Sequence, residues 1–123
     1  MKLHLTHVGD KNVVTGYGHD HVMVNRRRYD RSLVILPERL IENWEVRAFS
    51  SLAREHIQFL ASLGVEIVLL GTGERLRFPD PSLLEPLVTA GIGYEIMDTH
   101  AACRTYNILM AEDRKVVAAL ILG

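Results

Sequence analysis

Apolar and polar residues change period twice along this chain, and the changes divide it into recognisable elements. The first third alternates in short runs. Val13–Tyr17, His21–Val24 and Ser32–Leu36 read as β-strands, separated by Gly16, Gly18, Asp20, Asn25 and the Arg26-Arg27-Arg28-Tyr29-Asp30-Arg31 cluster. Pro37 closes the third run because it cannot donate to a ladder, and Trp44 and Val46 are placed in a short further strand. The period then becomes helical: Phe49, Ala53, Ile57 and Leu60 recur at three and four, opposite Arg54, Glu55, Gln58 and Ser62. That spacing predicts a helix from about Ser51 to Leu63, capped by Ser50 or Ser51 and ended by Gly64.

From residue 65 onward strands and helices alternate. Val65–Leu70 is almost wholly apolar, as a strand covered on both faces must be, and it stops at Gly71-Thr72-Gly73. Arg75–Phe78 alternates like a short strand, and Pro79-Asp80-Pro81 opens a short helix over Ser82–Thr89. Tyr94–Met97 is the next strand, Asp98 caps a helix over Thr99–Met110, and Val116–Leu122 is the last buried strand. Strand, helix, strand, helix, strand in one sheet implies right-handed crossovers, with the early strands extending that sheet or folding over it. At 123 residues the chain fits one domain, 1–123, with a core large enough to fold without disulfide or metal.

Composition narrows the classes of function. Lys plus Arg is 14 and Asp plus Glu 15, a formal net charge of −1, which argues against a dedicated nucleic-acid or anionic-membrane binder. A lone cysteine, Cys103, forms no intrachain disulfide and points to no oxidising compartment. The longest apolar run, Val116 to Leu122, is far below the roughly 20 residues of a membrane helix. The first residues show neither a signal core nor an amphipathic presequence, so a cytoplasmic location is expected.

Candidate chemistry has two readings at each place. Gly71-Thr72-Gly73, with Arg75 and Arg77 close by, could hold an anion at the end of a buried strand. No Lys-Ser/Thr pair follows, Glu74 is adjacent, and a tight turn needing positive φ explains the same glycines. Asp98-Thr99 offers helix N–H groups, and His100, Arg104 and Asn107 follow at i, i+4, i+7 on one polar face, with Thr105 beside them. That face is either a recognition surface or a solvated one. Cys103 lies three residues from His100 but lacks a third orienting group, so it is read as core and no catalytic residue is assigned. His19 and His21 share one side of a strand, and His4 and His7 add further imidazoles, yet their spacing matches no metal motif. No metal or cofactor is expected. The arginine cluster could touch phosphates, but an edge-protecting turn accounts for it equally and nucleic acid is not the favoured partner.

Two segments carry a resemblance. The first is Ile67-Val68-Leu69-Leu70-Gly71-Thr72-Gly73 ending in Phe78-Pro79. The second is Gly91-Ile92-Gly93-Tyr94-Glu95-Ile96-Met97-Asp98-Thr99, continuing through Ala102, Arg104–Leu109 and Val117–Leu120. Together they resemble a family of small, largely uncharacterised bacterial and archaeal α/β proteins that also includes mitochondrial NADH dehydrogenase (complex I) assembly factor 3 and an adipogenesis-associated animal protein. The resemblance implies a three-layer α/β fold: a mixed central sheet with helices packed on it and an N-terminal β-hairpin region. It implies no established enzymatic activity. It points to a protein-interaction or assembly module, with complex I subunits or assembly factors as candidate partners. On that reading Gly71, Thr72, Gly73, Arg75, Asp98, Thr99, Arg104, Thr105 and Asn107 form the candidate contact surface, and a small-molecule or anion site at the same turn and helix start is the alternative.

Overall fold

Residues 9–122 are described by the computed structural model. Strands β1 (Val14–Tyr17), β2 (Val22–Val24) and β3 (Arg27–Tyr29) make a three-stranded antiparallel sheet. Strands β4 (Leu33–Leu36), β5 (Arg39–Ile41), β6 (Ile67–Gly71), β7 (Gly93–Met97) and β8 (Val116–Leu120) make a five-stranded mixed sheet in the order β5-β4-β8-β6-β7. Central β6 runs parallel to both neighbours, so Leu69 lies opposite Glu95 on one side and Ala118 on the other. β4 pairs antiparallel to β8, with Val34 opposite Ala119, and β5 forms the edge beyond it.

Helices cover both faces, which explains why the central strands are apolar at consecutive positions. Val34, Val68, Leu70, Val117, Ala119 and Ile121 face α1 (Arg54–Ala61) and α2 (Glu85–Thr89), packing with Ile57, Leu60, Leu87, Trp44 and Val46. Leu33, Ile35, Leu69, Val116, Ala118 and Leu120 face α3 (Thr99–Ala111) on the other side. There Ala102, Cys103, Tyr106 and Met110 meet Val14, Tyr17, Val22 and Val24 of the small sheet, which completes that layer. The three-layer α/β arrangement with a mixed sheet and an N-terminal hairpin is as expected. No helix among the described residues is long and apolar enough to cross a membrane.

Several local expectations are corrected. Part of the arginine cluster is strand β3, and the turn before it is Asn25-Arg26, with φ of 53° and 69°. Both central residues are left-handed, the geometry of a two-residue hairpin turn whose twist matches its strands. Trp44 and Val46 form no strand; they are buried anchors, and Trp44 N donates to Ser32 O at 2.9 Å. The strand lies earlier, at Arg39–Ile41, returned beside β4 by Pro37-Glu38. α1 begins at Arg54 after a 3-10 turn over Phe49–Ser51, and neither serine caps it. Instead Ala53 N donates to the His56 imidazole Nδ1 at 2.9 Å. Arg75–Phe78 is not a strand, because the loop wraps around the Thr72 hydroxyl. That oxygen donates to Arg75 O at 2.6 Å and accepts from Arg77 N at 3.1 Å.

Candidate functional site

The two motif segments meet where β6 and β7 end. This is the crevice at which open α/β sheets commonly hold ligands, because β6 leads to a helix on one face and β7 to a helix on the other. Here the chain occupies the crevice itself. Gly73 N donates to Thr99 Oγ1 at 2.9 Å, Thr99 N donates to Gly73 O at 2.8 Å, and Thr99 Oγ1 donates to Ile121 O at 2.9 Å. Thr72 N donates to Met97 O at 2.9 Å and Ile121 N to Gly71 O at 2.9 Å. The ends of β6, β7 and β8 are thereby stitched to one another. Asp98 caps α3, accepting from Ala101 N at 2.9 Å.

Gly71 is required by this stitching. A Cβ built there would stand 2.9 Å from Thr99 Cα and 3.1 Å from Leu120 Cδ2, inside van der Waals contact. Gly73 serves differently: its φ of 104° is the left-handed turn that the glycine pattern suggested.

The expected contact surface therefore divides. Thr72, Thr99 and Asn107 are 3%, 2% and 4% exposed, and Gly73 is buried too, so these four hold the interior together. Of the donors in the anion alternative, Gly73 N is satisfied within the chain, whereas the Arg75 and Arg77 side chains remain exposed. Asn107 was expected on a polar helix face; it lies under β1, where its Oδ1 accepts from Val14 N at 2.9 Å and its Nδ2 donates to Val14 O at 2.8 Å. It acts as one more strand residue along the outer edge of β1. His100 stacks on Tyr17 at 4.1 Å between ring centroids and donates from Nε2 to Gly18 O at 2.9 Å. Arg104, exposed, donates to the Tyr17 hydroxyl at 2.7 Å. The i, i+4, i+7 polar set thus docks the small sheet onto α3. Arg75 is exposed, and Asp98 and Thr105 are half-buried.

The remaining candidates resolve locally. The Cys103 thiol is wholly buried, and burial pushes its pKa up to about 12, so it stays neutral at physiological pH. His19 pairs with Glu74, and His21 Nδ1 meets Asp20 Oδ1 at 2.9 Å. The hydrogen bond from His21, with Arg28 nearby, holds the Asp20 carboxyl below its usual range. His4 and His7 lie outside the described residues. No group of three or more potential metal ligands occurs among the described residues.

What the sheet edge does present lies just outside the stitched crevice. Two adjoining open clefts of about 530 and 550 Å³ share Asp30 and Leu122. The first lies between Phe49-Ser50 and the 72–77 loop, with Arg75 and Arg77 on its wall; Arg77 sits 5.9 Å above the Phe49 ring. The second is lined by Arg31, Ser32, Asn43, Trp44, Glu45 and Arg47. Arg31 ended the arginine cluster of the sequence, whereas Arg47 belonged to no motif. They come from the β3–β4 connection and the segment before α1, and only the fold brings them beside Arg75 and Arg77.

Comparison with known proteins places this architecture. The family model described as "Protein of unknown function (DUF498/DUF598)" matches residues 14–121. A crystal structure of a Bordetella parapertussis protein is 40% identical, with a TM-score of 0.87 over 94% of this chain and 98% of that one. NADH dehydrogenase [ubiquinone] 1 alpha subcomplex assembly factor 3 of Bos taurus is 32% identical over 110 residues, 88% of this chain and 59% of that protein. The 13 kDa major membrane protein of Francisella tularensis is 27% identical over 100 residues, 80% of this chain and 81% of that protein. This chain thus spans only about three fifths of the length of the assembly factors it matches.

Proposed function

This chain belongs to the DUF498/DUF598 family, and on that premise we propose that it is a partner-binding assembly module for a respiratory NADH dehydrogenase. The observation that carries the reading is how its strand ends are used. The crevice of the α/β sheet is filled by Gly73, Thr99 and Ile121 bonding to one another, and the lone thiol is held neutral inside the core. The exposed polar groups at that edge, arginines and carboxylates alike, lie on an open surface suited to contact rather than to enclosing a substrate. Assembly factor 3 relatives supply the class of partner. No step of covalent chemistry is part of the proposal.

The test is made in the native host. Deleting the gene should shift NADH dehydrogenase in native gels from the full complex to smaller subcomplexes, and the tagged chain should co-purify with those subcomplexes. Normal assembly in the deletion strain, together with no co-purified subunit, refutes the reading.

A further inference from the structure

The two adjoining clefts contain a charge pattern that neither the core nor the crevice uses. Arg31, Arg47, Arg75 and Arg77 all line them, all four are exposed, and no ion pair joins any of them to a carboxylate among the described residues. Of the acidic groups on the same walls, Glu74 is engaged by His19, and Asp20 by His21 and Arg28. The unengaged lining charge is therefore positive, with Asp30 and Glu45 set between the arginines. Arg31, Arg47, Arg75 and Arg77 are matched in number on these walls by Asp20, Asp30, Glu45 and Glu74, so the positive excess lies only in the groups left unpaired. Guanidinium is the side chain best suited to two-pronged pairing with carboxylate, and it loses little conformational freedom per bond formed.

A second observation comes from the floor of the second cleft. Trp44 lines it, is 6% exposed, and its indole Nε1 finds no hydrogen-bond partner among the described residues. A buried donor left unmade is costly, so a shift of the indole that let an acceptor on this wall reach Nε1 would relieve that cost.

We propose that the paired clefts form one groove for an extended acidic peptide segment of a partner protein, its carboxylates taken by Arg75 and Arg77 at one end and by Arg31 and Arg47 at the other. The shape favours a peptide over a small anion, because the two clefts run on through the shared Asp30 and Leu122 and neither encloses a ligand. The interleaved Asp30 and Glu45 favour acidic residues spaced by neutral ones over a continuous polyanion such as nucleic acid. This inference rests on the partner-binding reading and specifies the partner's chemistry.

The test uses the full chain and a fluorescein-labelled Glu-Ser alternating octapeptide, followed by anisotropy and by emission of Trp44, the single tryptophan. Matching probes are a Lys-Ser octapeptide, inorganic phosphate, citrate and a short single-stranded DNA. The acidic peptide should bind at least about tenfold tighter than the lysine peptide, quench or shift Trp44 emission, and weaken as salt rises. Arg31→Gln/Arg47→Gln and Arg75→Gln/Arg77→Gln should each weaken it at least about fivefold with unchanged far-ultraviolet circular dichroism. Equal affinity for both peptides, an effect from only one arginine pair, phosphate or citrate binding as tightly as the peptide, or DNA binding as tightly would each overturn the proposal. A host partner recovered equally well by the chain carrying all four Arg→Gln changes would overturn the groove while leaving the assembly reading intact.

Discussion

Gly71→Ala adds a single methyl group at the joint between β6 and α3, and its consequence follows from three distances. The new Cβ would stand 2.9 Å from Thr99 Cα, 3.0 Å from Thr99 Oγ1 and 3.1 Å from Leu120 Cδ2. Ordinary carbon contacts begin at ~3.5 Å, so the backbone of α3 must retreat by about 0.6 Å. Thr99 cannot swing away alone, because its hydroxyl is held between Gly73 N and Ile121 O at 2.9 Å each. Overpacking of this kind costs roughly 1–3 kcal/mol, and stretching the Thr99 bonds adds up to about 1 kcal/mol. Restriction of the unfolded chain returns about 0.4–1 kcal/mol. A net loss of about 2 kcal/mol is expected, or about 8 °C in Tm for a chain of this size. Urea unfolding should show a lower midpoint with an unchanged slope. Gly93→Ala is the internal control: its Cβ would meet only Glu66 O, at 3.6 Å, and should change stability by less than about 0.5 kcal/mol. A Gly71→Ala protein as stable as the control would refute the stitched crevice, and with it the reason for denying that site a ligand.

Other consequences are equally specific. Asn107→Leu keeps the volume of the side chain but strands Val14 N and Val14 O, and should cost about 2–4 kcal/mol; hydrogen exchange should show the Val14 amide losing protection before the β6 amides do, and uniform loss would contradict the assigned role. Burial raises the Cys103 pKa from 9.0 to about 12, so the folded state keeps its proton where the unfolded state releases it. The thiol's contribution to stability is therefore complete below about pH 9 and is lost as pH climbs towards 12, with a slope of at most about 1.4 kcal/mol per unit. Cys103→Ala should flatten that alkaline slope, leaving the part due to Tyr106, whose hydroxyl burial also raises; prompt thiol labelling of the native wild-type protein at pH 8 would contradict it.

What could be read from the residues, and what could not, follows the range of the forces involved. β6, α3 and the Asp98 cap were legible because apolar runs, helical spacing and a cap bond are local features. β5 was not: Arg39-Leu40-Ile41 is a strand only because β4 lies beside it after the Pro37-Glu38 turn. The polar face of α3 was misread for a related reason. His100, Arg104 and Asn107 have the spacing of a solvated stripe, yet each bonds to the Val14–Gly18 segment more than 80 residues away in the chain. Periodicity reports that a face is polar, not whether water or a strand satisfies it. The glycine turn and the start of α3 do meet, but not as one accessible patch: Thr99 and Gly73 face each other rather than solvent. Arg31, Arg75 and Arg77 stood out separately, in the arginine cluster and beside the glycine turn, but Arg47 did not, and only the sheet edge gathers the four into adjoining clefts.

The account turns on the strand-end edge being where a partner sits. A photo-crosslinking amino acid placed at Arg47 or Arg75, and for comparison at Glu112, tests this inside the living host. Glu112 follows the last turn of α3, about 20 Å along the helix from its start at the crevice. Ultraviolet irradiation should join positions 47 and 75, but not 112, to a subunit or assembly intermediate of NADH dehydrogenase. Adducts equally abundant from all three positions, or none on that complex, would contradict it.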